Sequence, residues 1–221
     1  MNLIKSWQEK GFKGLWRDLP LSFLLFSGLI IFFAKLANEI REKETLPFDV
    51  AVLKWIQQWH STTRNIWVVN LTNTSGAIGM LIIMLAVLLY LARKKDFQRV
   101  GFFLSAMGGT FILNLVLKQL FQRNRPMLWH AIVVEKSFSF PSGHAMASSA
   151  LVFSLLIMFA LSKRRYGLIT FGLLYILVIG FTRLYLGVHY PTDIAGGWLV
   201  SLAWVTLVAH LFNRHGHAPW Q

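Results

Sequence analysis

Of 221 residues, 55% are hydrophobic and 14% charged, against roughly 25% charged in an ordinary soluble domain. With a mean hydropathy of +0.53 the chain has too little polar surface to cover a water-facing globule, and too much apolar content to be intrinsically disordered. The 22 Lys and Arg outnumber 9 Asp and Glu, a net charge of +13 with histidine neutral; because the cations fall in short runs between apolar stretches, they suit anionic headgroups or an anionic substrate and argue against nucleic acid as a partner. Cysteine is absent, which removes disulfides, thiolate metal sites and cysteine nucleophiles. What remains is an all-α polytopic membrane protein.

Residues 1–18 mix Lys5, Lys10, Lys13 and Arg17 with Leu3, Trp7, Phe12 and Trp16, a basic amphipathic segment expected to lie in the membrane interface. No small-residue cleavage site follows the next apolar run, so it does not read as a signal peptide. Six apolar runs come next, each set against the ~20 residues needed to cross ~30 Å of hydrocarbon: Leu19–Ala37, Val68–Ala92, Val100–Leu120, Gly143–Leu161, Gly167–Leu186 and Ile194–Phe212. The second opens with a polar patch, Asn70 to Ser75, expected at headgroup depth. The predicted architecture is one six-helix membrane domain over residues 19–213, with residues 214–221 as a tail.

Orientation is read from the basic residues of short connections. The N-terminal segment, the Arg93-Lys94-Lys95 and Arg99 connection, Lys163-Arg164-Arg165 and Arg214 all fall on one side if six helices alternate. On the other side, Asn38–Trp67 and Arg123–Pro141 carry Glu39, Glu42, Glu44, Asp49 and Glu135, which offset the cations there. Both ends of the chain are therefore expected in the cytoplasm of an inner (plasma) membrane protein. Trp16, Trp55, Trp59, Trp67 and Trp129 stand near span ends, as an aromatic belt requires. Ser139, in the second outward connection, is expected to be accessible from outside, and Ser162 from inside.

Three segments carry ionisable residues into the apolar pattern, all on the outward side: Lys118 to Arg125-Pro126, Pro141-Ser142-Gly143-His144, and Thr182-Arg183 to His189 and Asp193. Polar groups at membrane depth are costly and mark function. Lys118, Arg125 and Arg183 are three cationic donors, two of them guanidinium forks suited to a tetrahedral oxyanion. Ser142 and Gly143, after Pro141, start a helix whose first N–H groups, with the Ser142 hydroxyl, point at a bound anion. Asp193, four residues beyond His189, can accept from one ring nitrogen and leave the other as a nucleophile. His144 is then the general acid and base.

Each residue also has a plainer role. Arginines near helix ends snorkel to headgroups, Ser142 is a helix cap before it is a catalyst, and Glu135 with Lys136 reads as a solvated loop pair. His60, His130, His210, His215 and His217 read as surface or interface histidines, and Gly108-Gly109 and Gly196-Gly197 as close-packing positions. A metal held by His144, His189 and Asp193 would be opposed by three nearby cations, so no metal and no cofactor is expected. The plain roles do not account for all three segments on one side.

Together the segments resemble the three-part signature of the type 2 phosphatidic acid phosphatase superfamily (PAP2). Lys, six residues and Arg-Pro correspond to Lys118 through Arg125-Pro126; Pro-Ser-Gly-His is Pro141 to His144; Arg, five residues, His, three residues and Asp correspond to Arg183, His189 and Asp193. Thr182 stands where the family usually has serine. The resemblance implies that Lys118, Arg125, Arg183, Ser142 and Gly143 hold phosphate, that His189 attacks phosphorus with Asp193 orienting it, and that His144 protonates the leaving oxygen. The expected substrate is a membrane lipid phosphate or diphosphate at the outer face of the bilayer. A phosphotransferase would use the same phosphohistidine, and a vanadate-dependent haloperoxidase or a non-catalytic lipid-binding protein are more distant readings.

Overall fold

The computed structural model describes residues 19–129, 132–163 and 165–214. The basic N-terminal segment and residues 215–221 lie outside the described residues. Among the described residues eight helices follow in chain order: α1 (Leu19–Arg41), α2 (Leu46–Gln57), α3 (Thr62–Asn73), α4 (Ala77–Arg93), α5 (Phe97–Phe121), α6 (Gly143–Met158), α7 (Arg165–Tyr185) and α8 (Pro191–Arg214). No strand occurs among the described residues.

Local sequence sets the boundaries. Ser61, Asp96 and Ser142 cap α3, α5 and α6, each accepting a backbone N–H from three residues on, and Pro191 opens α8, where its missing N–H costs nothing. At the end of α5, Gln122 takes a left-handed conformation with φ 44° and throws the chain sideways, so that Arg123 points back into the bundle. Gly187, with φ +72°, closes α7 in the same way. Here glycine is required twice over: a side chain is strained at that φ, and a Cβ would stand 2.6 Å from the Trp129 indole nitrogen.

Four helices, α1, α5, α7 and α8, are long and apolar enough to cross a bilayer, and α3 with α4 makes a fifth if the bent pair is one span. The expected continuous run over Val68–Ala92 is thus broken. Its two halves meet at 44°, where the Thr74 and Ser75 hydroxyls turn back onto the carbonyls of Leu71 (2.7 Å) and Thr72 (3.1 Å) and Gly76 leaves the helix extended. Side chains that hydrogen-bond their own backbone compete with helix continuation. The fourth expected span, α6, has 16 residues, about 24 Å at 1.5 Å per residue, short of ~30 Å of hydrocarbon. It is the most enclosed helix, packed by α5, α7 and α8, and a helix walled in by protein need not reach both surfaces. Also new is α2, a helix inside what reads from sequence as a plain connection.

The main core, built from Phe102, Phe103 and Met107 of α5, Leu151 and Met158 of α6 and Val205 of α8, fills one half of the bundle. At the other half, Phe140 sits between Phe33 and Phe121, stacked on the first and edge-on to the second. The ends of α5 and α7 and the starts of α6 and α8 meet there, which gathers the three motif segments at one end and leaves Arg93, Lys94, Lys95, Arg99, Lys163 and Arg165 at the opposite end.

Of the four glycines expected to allow close packing, three do so. A Cβ on Gly109 would meet the Trp204 ring at 2.1 Å, one on Gly196 the Phe140 ring at 2.4 Å, and one on Gly197 the Ser142 carbonyl oxygen at 3.1 Å. Gly108 has nothing within 4 Å. Gly196→Ala should therefore lower the unfolding midpoint in detergent, an overpacking cost of about 1–3 kcal/mol. Gly108→Ala should leave the midpoint unchanged or slightly raised, and the two melting curves compare them directly.

Candidate active site

The nucleophile candidate, His189, follows the α7 terminus in a short loop and is almost fully buried. Its Nδ1 lies 3.2 Å from Asp193 Oδ2, and its Nε2 lies 3.1 Å from Arg125 Nη1. An arginine can only donate, so Nε2 must be the accepting nitrogen, and the proton belongs on Nδ1, directed at Asp193. The tautomer required of a nucleophile with a free Nε2 lone pair is thus assigned by its neighbours. Burial, above all, with the charges of Arg125 and Arg183, pushes the imidazole down to about 3, against the pull of Asp193. The ring is neutral at physiological pH.

Asp193 is fully buried in the first turn of α8. Its Oδ2 accepts from His189, from the Ser139 hydroxyl and from the Tyr190 N–H (2.9 Å), and its Oδ1 from Arg123 Nη1 at 2.5 Å. Ser139, expected at an accessible loop position, is instead buried against this carboxylate. Its hydroxyl is too useful there to be spent on solvent.

The three expected cations converge. Arg183 is 1% exposed, so it does not snorkel: Nη1 donates to Thr72 Oγ1 (3.1 Å), Nη2 to Glu135 Oε1, and Nε has no acceptor among the described residues. Arg125 donates to the Val188 carbonyl (2.7 Å) and, through Nε, to that of Ser137 (2.8 Å). Lys118 reaches the carbonyl of Phe138 and the Ser137 hydroxyl (3.3 Å). Glu135 is not a solvated partner of Lys136. It pairs with Arg183, its other oxygen 3.8 Å from Arg125. Burial alone would raise its carboxyl, but Arg183 and Arg125, with His144 and His189, outweigh that and hold it below the usual carboxylate range. The carboxylate thus lies between two guanidinium groups, bonded to Arg183 and 3.8 Å from Arg125, a position that suits a phosphate as well.

His144 stands one residue into α6. A Cβ on Gly76, in the α3–α4 break, would lie 3.5 Å from its Nε2. Ser142 caps the helix, its Oγ accepting from the Ala145 N–H at 3.4 Å. One expectation is corrected: the Ser142 N–H does not point at an anion, because it donates to the Asp193 carbonyl at 3.1 Å. The Gly143 N–H has no acceptor among the described residues; its position is framed by Asn114, whose amide donates to the Pro141 carbonyl (3.1 Å). The Thr182 hydroxyl bonds the Ile179 carbonyl at 2.6 Å and so serves its own helix, not the site.

Two cavities flank these groups. One of about 400 Å³ has charged and polar residues in its wall, among them Lys118, Arg125, Glu135, Lys136 and Ser137. The other, about 450 Å³, is apolar, lined by Met80, Met84, Met107, Phe111 and Met146, and has His144 and Gly143 in its wall. Sequence reasoning missed several residues that hold the site: Asp49, Arg123, Ser139, Asn114 and Thr72. Trp129 packs over the His189 loop, edge-on to His60.

The phosphatidylglycerophosphatase B of Bacillus subtilis is 30% identical over 191 residues, 81% of this chain and 91% of that protein. An undecaprenyl-diphosphatase of the same organism is 30% identical over 107 residues, 47% of this chain and 50% of that protein. The crystal structure of a transmembrane PAP2-type phosphatidylglycerolphosphate phosphatase from B. subtilis superposes with a TM-score of 0.76 at 26% identity, covering 86% of this chain and 96% of that one. Aquifex aeolicus LpxE shares the fold, with a TM-score of 0.62 at 18% identity over 73% of this chain and 94% of its own. Residues 99–217, which contain all three motif segments, match the PAP2 superfamily, and the chain belongs to that superfamily.

Proposed function

We propose that the protein is a phosphohydrolase acting on a membrane lipid phosphate or diphosphate through a phosphohistidine. Candidate substrates are of the phosphatidylglycerol phosphate, undecaprenyl diphosphate and phosphatidic acid classes, the first two named in its relatives. The observation that carries the reading is the apolar cavity beside His144. Leu81 and Phe111 line it and are exposed on the outside of the bundle, so a hydrocarbon chain can run from the bilayer to the side of the site where the leaving oxygen is protonated.

In the proposed reaction a phosphate enters between Arg183, Arg125 and Lys118, takes the place of Glu135, and receives the N–H of Gly143 and the hydroxyl of Ser142. Arg125 moves its hydrogen bond from His189 Nε2 to a phosphate oxygen, which frees the lone pair. Nε2 attacks phosphorus, the bond to the lipid oxygen breaks, and His144 supplies its proton. Water, giving a proton to His144, then attacks phosphorus, and the electron pair of the N–P bond returns to Nε2. Asp193 holds the Nδ1 proton throughout and offsets the charge of the phosphorylated ring. Passing the phosphoryl group to another lipid instead of water would leave the protein side of the chemistry unchanged; free phosphate against lipid-bound phosphate in the products separates the two outcomes.

Purified protein assayed on a lipid phosphate panel, beside a water-soluble phosphomonoester, should show the larger kcat/KM for lipids, with activity kept in EDTA and lost to vanadate. His189→Ala should abolish turnover and His144→Ala should be comparably damaging, with the double variant little worse than either because the two act as a unit. Arg183→Lys retains charge but loses the fork, and should cost on the order of 10²-fold in kcat, as does loss of one oxyanion donor. Turnover near that of the wild type in His189→Ala would end the phosphohistidine reading.

We further infer that the site faces outward and that both chain ends are cytoplasmic. The supporting observation is the separation of the motif end of the bundle from the basic end, combined with the preference of basic connections for the cytoplasm. Because Ser139 is buried, the reporter belongs elsewhere: a cysteine replacing Met127, 88% exposed beside the site, should react with an impermeant maleimide in intact cells or spheroplasts. One replacing Lys163 should react only after lysis. The reverse pattern would put the site in the cytoplasm.

A further inference from the structure

Arg123 lies outside the three motif roles, yet it touches the carboxylate on which the nucleophile depends. Its guanidinium bridges two fully buried carboxylates, with Nη2 2.7 Å from Asp49 Oδ2 and Nη1 2.5 Å from Asp193 Oδ1. The Tyr190 ring lies against it at 4.2 Å. Asp49, from α2, also accepts the Thr192 N–H (3.1 Å) and hydroxyl (2.7 Å), and Arg123 donates to the same hydroxyl at 2.8 Å. Neither end of this bridge is free to turn. Of the donors on Asp193 other than His189, namely Arg123, Ser139 and the Tyr190 N–H, Arg123 alone carries a charge.

We propose that Arg123, clamped by Asp49, is a positioning residue that sets both the aim and the effective charge of Asp193, and through it the ease with which His189 gives up its phosphoryl group. The proposal rests on the phosphohistidine reading above. In the first step Nε2 shares its lone pair with phosphorus while Nδ1 keeps its proton, so the ring becomes cationic and Asp193 stabilises it. In the second step the N–P bond breaks as water attacks, and the ring must leave as neutral imidazole. A carboxylate carrying its full charge favours the first step and retards the second, because it raises the basicity of the departing nitrogen. Arg123 draws that charge toward Oδ1 and balances the two steps.

The test is kinetic. Arg123→Met alone strands two buried carboxylates without a cation, so the charge-neutral double variant Asp49→Asn/Arg123→Met is measured beside it and carries the test if the single variant does not fold. With a lipid phosphate and purified protein, slower breakdown of the intermediate lowers kcat and KM together. A fall on the order of 10–100-fold is expected, by analogy with losing the outer partner of a metal-bound histidine, while kcat/KM stays within about threefold. Phosphohistidine trapped in alkali at steady state should rise as a fraction of enzyme. A merely structural role would reduce the active fraction or kcat/KM and leave the trapped fraction no higher. Either that result or kinetics identical to wild type would overturn the proposal. Absence of any trapped phosphohistidine in the wild type, with turnover surviving in His189→Ala, would instead overturn the reading on which it rests.

Discussion

One guanidinium shared by two buried carboxylates holds the motif-bearing end of this bundle together. Arg123 draws Asp49 of α2 and Asp193 of α8 to a single point, and Asp49 fastens the first turn of α8 through Thr192. Taking three charges out of water is expensive, and removing one partner of such a group typically costs about 3–5 kcal/mol. The arrangement persists because the remaining lone pairs of both acids are filled by hydroxyls and backbone N–H groups. From that point the geometry propagates: Asp193 aims His189, its carbonyl takes the Ser142 N–H, and α6 thereby starts where His144 faces the same space.

The electrostatics follow one plan. Arg183, Arg125 and Lys118 are each tied to protein oxygens, of Thr72 and Glu135, of Ser137 and Val188, and of Phe138. No cation at the centre has to be held bare in a poorly solvated region, and each can exchange a weak neutral acceptor for a phosphate oxygen. The neutral His189 adds no further positive charge before substrate arrives. In the proposed reaction, charge appears on it only as charge on the phosphate is redistributed.

Much of this was legible in the sequence, and the part that was not has a common cause. The long apolar runs placed α1, α5, α7 and α8 within a few residues, because in hydrocarbon a backbone must satisfy itself and the helix is the open-chain way to do so. The motif residues were found because spacing within one helix end is a local property: His189 and Asp193 are four apart. Asp49 looked like any loop acid, since its partners Arg123 and Thr192 lie 74 and 143 residues away. Glu135 was paired with its neighbour Lys136 by adjacency, while its real partner is 48 residues on. The break in the second run was visible as the polar stretch Asn70 to Ser75, but hydroxyls that belong at headgroup depth look the same as hydroxyls that end a helix. That Thr72 would reach Arg183 depends on the 44° bend, which no local pattern encodes.

The dependence of the site on its last helix bears on how the protein is made. Thr192 and Asp193 are among the latest of its essential residues to leave the ribosome, whereas Asp49 emerges early and waits, hydrated, for Arg123 and then for α8. Until that helix is in place His189 lacks the Asp193 carboxylate that takes its Nδ1 proton, and the start of α6 lacks the carbonyl that receives the Ser142 N–H. On the proposed mechanism, a half-inserted chain therefore carries its histidines and arginines into a lipid environment rich in phosphates without being able to act on them. On that mechanism, activity begins when α8 is in place.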